Sequence, residues 1–158
     1  MFAPIIMGSK SDLEHGQKIA AELEKTYGIK SEIRVASAHK AALYLFDILK
    51  TYENDGRPKV YITIAGRSNA LSAVVDANVT SPVIACPPYS DRFGGADVYS
   101  SLRLPSGVAP AVVLEPKSAA LLAAKTLLLA HPELGEKIAA VQTASRETII
   151  ADDKELNK

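Results

Sequence analysis

The stretch VASAHKAAL, Val35 to Leu43, places His39 between Ser37 and Lys40, so an imidazole, a hydroxyl and an ammonium share four residues. That set exchanges protons near neutrality and attracts a phosphate or carboxylate neighbour. A second group of the same character is MGSKSD, in which Gly8 permits close backbone approach, Ser9 and Ser11 carry hydroxyls, and Asp12 stands at a helix start. Free amides and the helix dipole there make an anion site. Ser11 or Asp12 serves equally well as a plain helix cap. The stretch matches neither the Walker A nor the dinucleotide glycine pattern. A third group is AGRSNALS, with Gly66, Arg67, Ser68 and Asn69 in one polar, glycine-bearing run, where capping by Ser68 or Asn69 is again the structural alternative. The fourth is CPPYSDRFGGADVYSSLRLPSG, a segment without clear periodicity except near GADVYSSLRL. A connection that long inside a compact domain is usually functional, and its Pro-Pro step is a place for a cis bond.

Composition removes several classes of function. Lys and Arg number 18, as do Asp and Glu, so no basic face is offered to nucleic acid or anionic lipid, and a small, mobile ligand is the expected partner. Cys86, the single cysteine, has no internal disulfide partner and reads as a small buried hydrophobe rather than a nucleophile. With no Cys/His cluster at ligand spacing, no metal is expected. His15, inside the first helical pattern, and His131, before Pro132, read as surface residues. The N-terminus lacks a secretory pattern, which makes the cytoplasm the default compartment. The longest apolar run, Ala119 to Ala130, is broken by Lys125 and falls short of the ~20 residues of a membrane span. A soluble protein is expected.

These residues need elements to position them. APIIM, SEIRV, KVYITIA, PVIAC and PAVVL are β-branched or apolar runs that read as five strands. Between the first two, Leu13, Gly16, Ala20, Leu23 and Tyr27 recur at helical spacing, and Gly28 stops the pattern. A second helix carries Ala42, Leu45, Phe46, Leu49 and Tyr52 on one face, and a third runs from about Asn69 to Asn78. A fourth spans Lys117 to Leu129, and a last one opens at about residue 133 with Leu134, Ile138 and Val141 on one face. Alternating strands and helices predict a single α/β domain over residues 1–158, a three-layer αβα sandwich around a five-stranded parallel sheet. SEIRV, which alternates with charge, belongs at an edge. All four polar groups follow strands, at the carboxyl end where open α/β sheets bind ligands. The opposite connections, KTYGIK, YENDGRPK and NVTSP, look like plain turns.

On MGSKSD, SAHK, AGRSNALS and SSLRLPSG, in that order, the sequence resembles the aminoimidazole ribonucleotide (AIR) carboxylase family of purine biosynthesis, from Pro4 to Leu129. The mutase branch of that family, which acts on the N-carboxylated ribonucleotide, typically reads SAHR and GAGGAAHL where this chain has Lys40 and AGRSNALS. The residues here resemble the class II branch, which carboxylates with carbon dioxide directly. The resemblance implies a flavodoxin-like sandwich and a symmetric homo-oligomer, commonly an octamer, with sites completed by neighbouring subunits. Carried over by motif, Ser9, Asp12, Ser37, Lys40, Gly66 and Ser68 hold the ribonucleotide, Ser11 supports its phosphate, and His39 transfers the proton. Arg67 and Asn69 belong to the loop expected to help hold carbon dioxide or the new carboxylate, although Arg67 would serve equally well as the partner of an acid across a subunit boundary. No metal, biotin or ATP is implied.

The implied chemistry explains the histidine. Aminoimidazole is an enamine whose ring carbon attacks carbon dioxide unaided, leaving a hydrogen on that carbon. Its removal restores aromaticity, and the reverse reaction must put it back. A group of ordinary pKa ~6.5 serves both directions. The nearest rival is the mutase. A more distant one is a non-catalytic flavin or nucleotide-binding module, for which Tyr89, Phe93 and Tyr99 would be stacking partners and His39 would have no use.

Overall fold

A computed structural model describes residues 1–157. Strand β1 (Phe2–Met7) leads through a 3-10 turn (Lys10–Asp12) into α1 (Leu13–Glu22) and a π-helical turn (Leu23–Tyr27). Then come β2 (Lys30–Val35), α2 (Ala42–Glu53), β3 (Tyr61–Ile64), α3 (Ala70–Asp76) and β4 (Val83–Ala85). The long connection carries a 3-10 segment (Arg92–Val98) and α4 (Tyr99–Leu102) before β5 (Ala111–Val112), α5 (Pro116–Leu127) and α6 (Leu134–Leu156). The five expected strands and five expected helices are present. Differences lie at their ends and in the addition of α4.

All strand pairs are parallel, in the order β2-β1-β3-β4-β5. This is the flavodoxin-like order, in which the chain turns back beside β1 and leaves a crevice between β1 and β3 at their carboxyl ends. As expected from its alternating charges, β2 is an edge. The other edge is β5, cut to two residues because only Ala111 and Val112 reach register with Ile84 and Ala85.

Side-chain alternation divides the core into two layers. Ala3, Ile5 and Met7 face one side with Ile62, Ile64 and Ile84, packed by Ile19 and Leu23, the alanines of α5, and Leu134 and Ile138 of α6. Phe2 and Ile6 face the other with Tyr61 and Val83, packed by Leu45, Leu49 and Tyr52 of α2 and by Leu71 and Val75 of α3. Each such aliphatic side chain taken from water contributes about 1.5–3 kcal/mol.

Two glycines set the fit of the first crossover. A Cβ on Gly16 would stand 3.0 Å from Met7 Sδ and 3.4 Å from Ile64 Cδ1, so the absent side chain lets α1 lie close on the sheet. Gly28 has φ of 70° and ends the π-helical turn, its N–H bonded to Glu24 O at 3.0 Å. That left-handed conformation is the one glycine takes without penalty.

Candidate active site

After β1 the chain bends over the sheet's carboxyl end, Gly8 N–H bonding Ile64 O at 2.9 Å. Ser9 Oγ caps the 3-10 turn by accepting from Ser11 N–H (3.2 Å) and from Ser11 Oγ (2.9 Å). The side chain that caps is therefore Ser9, ahead of Ser11 and Asp12, and Asp12, at the N-cap position of α1, makes no capping bond to it. Burial raises the Asp12 carboxyl above its ordinary range, against the opposing pull of Ser11, His15 and the Ser9 backbone.

After β2, Ser37 organises a turn of its own. Its hydroxyl accepts from Lys40 N–H at 3.3 Å and its carbonyl from Ala41 N–H at 2.9 Å. His39 and Lys40 stand on this turn, exposed, just before α2 begins at Ala42. They belong to a separate turn rather than to the opening turn of the helix, because Ala41, in a non-helical conformation, interrupts the two.

After β3, Arg67 takes a φ of 59°, a conformation that costs a non-glycine residue about 1–3 kcal/mol. Its N–H donates to Asp97 Oδ2 at 3.0 Å. Asn69 lies behind this turn, 2% exposed. Its Oδ1 accepts from Ser72 N–H and Oγ, capping α3, and its Nδ2 donates to Ser101 Oγ at 2.9 Å. Asn69, expected to help hold a ligand, is buried here and serves as the cap of α3. Its amide oxygen is taken up by Ser72, whose hydroxyl pairs with Thr63 beneath it, and its amide nitrogen donates to Ser101.

The remaining candidates converge. Ser9, Ser11, Asp12, Ser37, His39, Lys40, Gly66, Arg67 and Ser68 line one open cavity of about 660 Å³, within the range of small-molecule sites. The long connection adds Pro88, Ser90, Arg92 and Asp97 to its wall. Its length marked it as functional, but no local pattern singled these four out. Lys40, Arg67 and Arg92 outnumber Asp12 and Asp97, so the cavity favours an anion. Pro87 and Pro88 both follow trans peptide bonds. Of the aromatics a flavin would need, Tyr89 lines a smaller apolar cavity of about 200 Å³ next door, whereas Phe93 and Tyr99 line neither cavity.

Two histidines sit deeper than expected. His15 is half-buried, its Nε2 3.3 Å from Cys86 Sγ, and His131 is half-buried with Nδ1 3.2 Å from Glu133. Neither lines the cavity. Cys86 is fully buried, and burial pushes its thiol up to about 12, so it is an inert apolar filler.

A family described as AIR carboxylase matches residues 3–148, spanning every loop of this cavity. The chain belongs to the AIR carboxylase family. Within the AIR carboxylase family it is 54% identical over 154 residues to a phosphoribosylaminoimidazole carboxylase of Treponema denticola, covering 98% of this chain and 96% of that one. It is 52% identical over 156 residues to another from Archaeoglobus fulgidus, covering 99% and 85%. The crystal structure of Treponema denticola PurE superposes with a TM-score of 0.96 over 99% of both chains, at 54% identity. Among the described residues, no helix is long and apolar enough to cross a membrane.

Proposed function

We propose that this member of the AIR carboxylase family joins carbon dioxide directly to 5-aminoimidazole ribonucleotide, reversibly, giving 4-carboxy-5-aminoimidazole ribonucleotide. The observation that carries the reading is the convergence of His39, Lys40 and Ser37 with the Ser9–Asp12 and Gly66–Ser68 turns on one cation-rich cavity. Lys40 and AGRSNALS, in place of the mutase's SAHR and GAGGAAHL, favour carbon dioxide as the carboxyl donor.

The ribonucleotide's phosphate and ribose meet Ser9, Ser11, Asp12, Ser37 and Lys40, and Gly66 and Ser68 border the base. The ring carbon's electron pair forms the new bond to carbon dioxide, and the hydrogen on that carbon leaves as a proton to His39. In the reverse direction His39 returns it before carbon dioxide departs. His39 stands on an exposed turn at the cavity wall, where such a proton can be reached. Arg67 and the amides of its turn stabilise the nascent carboxylate. The reaction is assigned to residues 1–158 as one domain acting without cofactor in the cytoplasm. The proposed assembly is a homo-oligomer, commonly an octamer in the family. The outer half of α6, exposed together with Ile149 and Ile150, supports it.

The test is the rate with each ribonucleotide, with and without added bicarbonate. Turnover of aminoimidazole ribonucleotide that rises with bicarbonate and needs no ATP is expected. Activity confined to the N-carboxylated isomer would assign the chain to the mutase branch instead.

A further inference from the structure

The turn after β3 is held from outside, by a segment 30 residues later in the chain. Asp97 Oδ2 accepts the Arg67 N–H at 3.0 Å, and the same carboxylate oxygen would stand 3.7 Å from a Cβ on Gly66. Ser100 Oγ accepts the Asn69 N–H at 2.9 Å and has one proton to give, with Arg67 O at 3.0 Å and Asp97 O at 2.7 Å as its acceptors. Both polar groups of the Arg67 backbone are therefore engaged by this segment, at the one cavity residue with positive φ. Behind it, Ser101, Asn69, Ser72 and Thr63 continue the hydrogen-bonded chain to Ile84 O in β4.

Among the described residues, the N–H groups of Gly66 and Ser68 on either side make no hydrogen bond. They are the donors left for a ligand. An arginine does not hold a left-handed conformation unaided, so the contacts that impose it also set the direction of its side chain and of the flanking amides.

We propose that Asp97 and Ser100 are positioning residues of the carboxylation, a latch that keeps the Gly66–Arg67–Ser68 turn in the form that presents its donors to the cavity. This rests on the carboxylase reading above. Asp97 acts as a hydrogen-bond acceptor for a backbone amide. Its role there requires an oxygen at that point, and an uncharged amide supplies one.

The test compares Asp97→Ala, Asp97→Asn and Ser100→Ala by steady-state kinetics and by hydrogen exchange at the Arg67 amide. Asp97→Ala is expected to lower kcat/KM by about 10²-fold, the effect of misplacing a site by ~1 Å. It should also speed Arg67 exchange by at least about tenfold. Asp97→Asn should restore most of both, and Ser100→Ala should reproduce a smaller part of the loss. In an Arg67→Gly background, where the left-handed turn is free of strain, Asp97→Ala should cost several-fold less. An Asn variant as slow as the Ala variant would overturn the proposal, because Asp97 would then act through its charge. Unchanged exchange at Arg67 in Asp97→Ala would overturn it as well. If Asp97→Ala does not fold, Asp97→Asn and Ser100→Ala decide by the same two readouts. A wild-type chain inactive on aminoimidazole ribonucleotide would defeat the carboxylase reading, while the exchange experiment still decides whether the latch exists.

Discussion

An exposed imidazole has no packing role, which separates what His39 contributes to chemistry from what it contributes to folding. No core cluster includes it, and its turn is held by Ser37 rather than by its own ring. His39→Asn should therefore leave the thermal midpoint and ribonucleotide affinity nearly unchanged while lowering turnover by ~10²–10⁴-fold, the usual contribution of a general acid–base group. Decarboxylation of the product should fail to the same degree, since the ring carbon must be protonated by the same residue. Retained turnover with a much lower midpoint would make His39 structural. Lys40, also exposed at the cavity wall, is assigned binding rather than chemistry. Lys40→Ala should weaken ribonucleotide binding by ~1.5–3 kcal/mol, the worth of a hydrogen bond to a charged group, as read by calorimetric titration.

At the scale of elements, α1 is the piece on which the first turn of the site depends. It is set close against the sheet at Gly16, with Met7 Sδ already 3.0 Å from where a Cβ would be. Gly16→Val overfills that contact and should destabilise the fold by ~1–3 kcal/mol in chemical denaturation. The same helix couples to the end of β4 through His15 and Cys86, the residue just after that strand. Burial lowers the His15 pKa below its ordinary value and outweighs the opposing contact with Cys86, while Lys18 adds to the lowering and Asp12 and Glu115 oppose it. The unfolded chain thus binds this proton more readily than the folded one. His15 contributes stability above the ordinary histidine pKa, and that contribution is lost as pH falls from there toward the lowered folded value. Between about pH 7 and pH 5, the thermal midpoint should fall more for the native chain than for His15→Gln. Asp12, shifted upward by burial, has the opposite sign, and it is common to both chains compared.

The whole molecule carries more helix than its own core uses. Of the 23 residues of α6, only Leu134 and Ile138 are buried, and residues 143–156 are exposed throughout. A helical stretch of that length gains little stability alone in water, so its order calls for a packed surface. Leu43 and Tyr44 of α2 are likewise exposed. In light scattering the chain should give a mass several times its 16.8 kDa. Replacing Ile149 and Ile150 together by Glu should shift it toward the monomer without unfolding the sheet. An unchanged mass would exclude that part of α6 from the interface.

What the sequence determined by itself is what short-range physics controls. Strand and helix periods establish the parallel sandwich, because apolar spacing dictates which face of each element is buried. Since open α/β sheets bring the loops after their strands together at the carboxyl ends, the sequence also placed Ser9, Ser37, His39, Lys40 and Gly66 at one end of the sheet, where they line one cavity. The tertiary structure alone decided the pairings between distant segments. Asp97 finds the Arg67 amide from 30 positions away, and His15 finds Cys86 from 71. No local period encodes such meetings, since they depend on where the crossovers set each loop down. The same cause separated Ser68 from its neighbour Asn69. Both are polar residues on one loop, yet Ser68 faces the cavity while Asn69 is turned inward to cap α3 and accept the Ser72 hydroxyl. It likewise cut β5 to two residues, because a strand extends only as far as its neighbour offers partners.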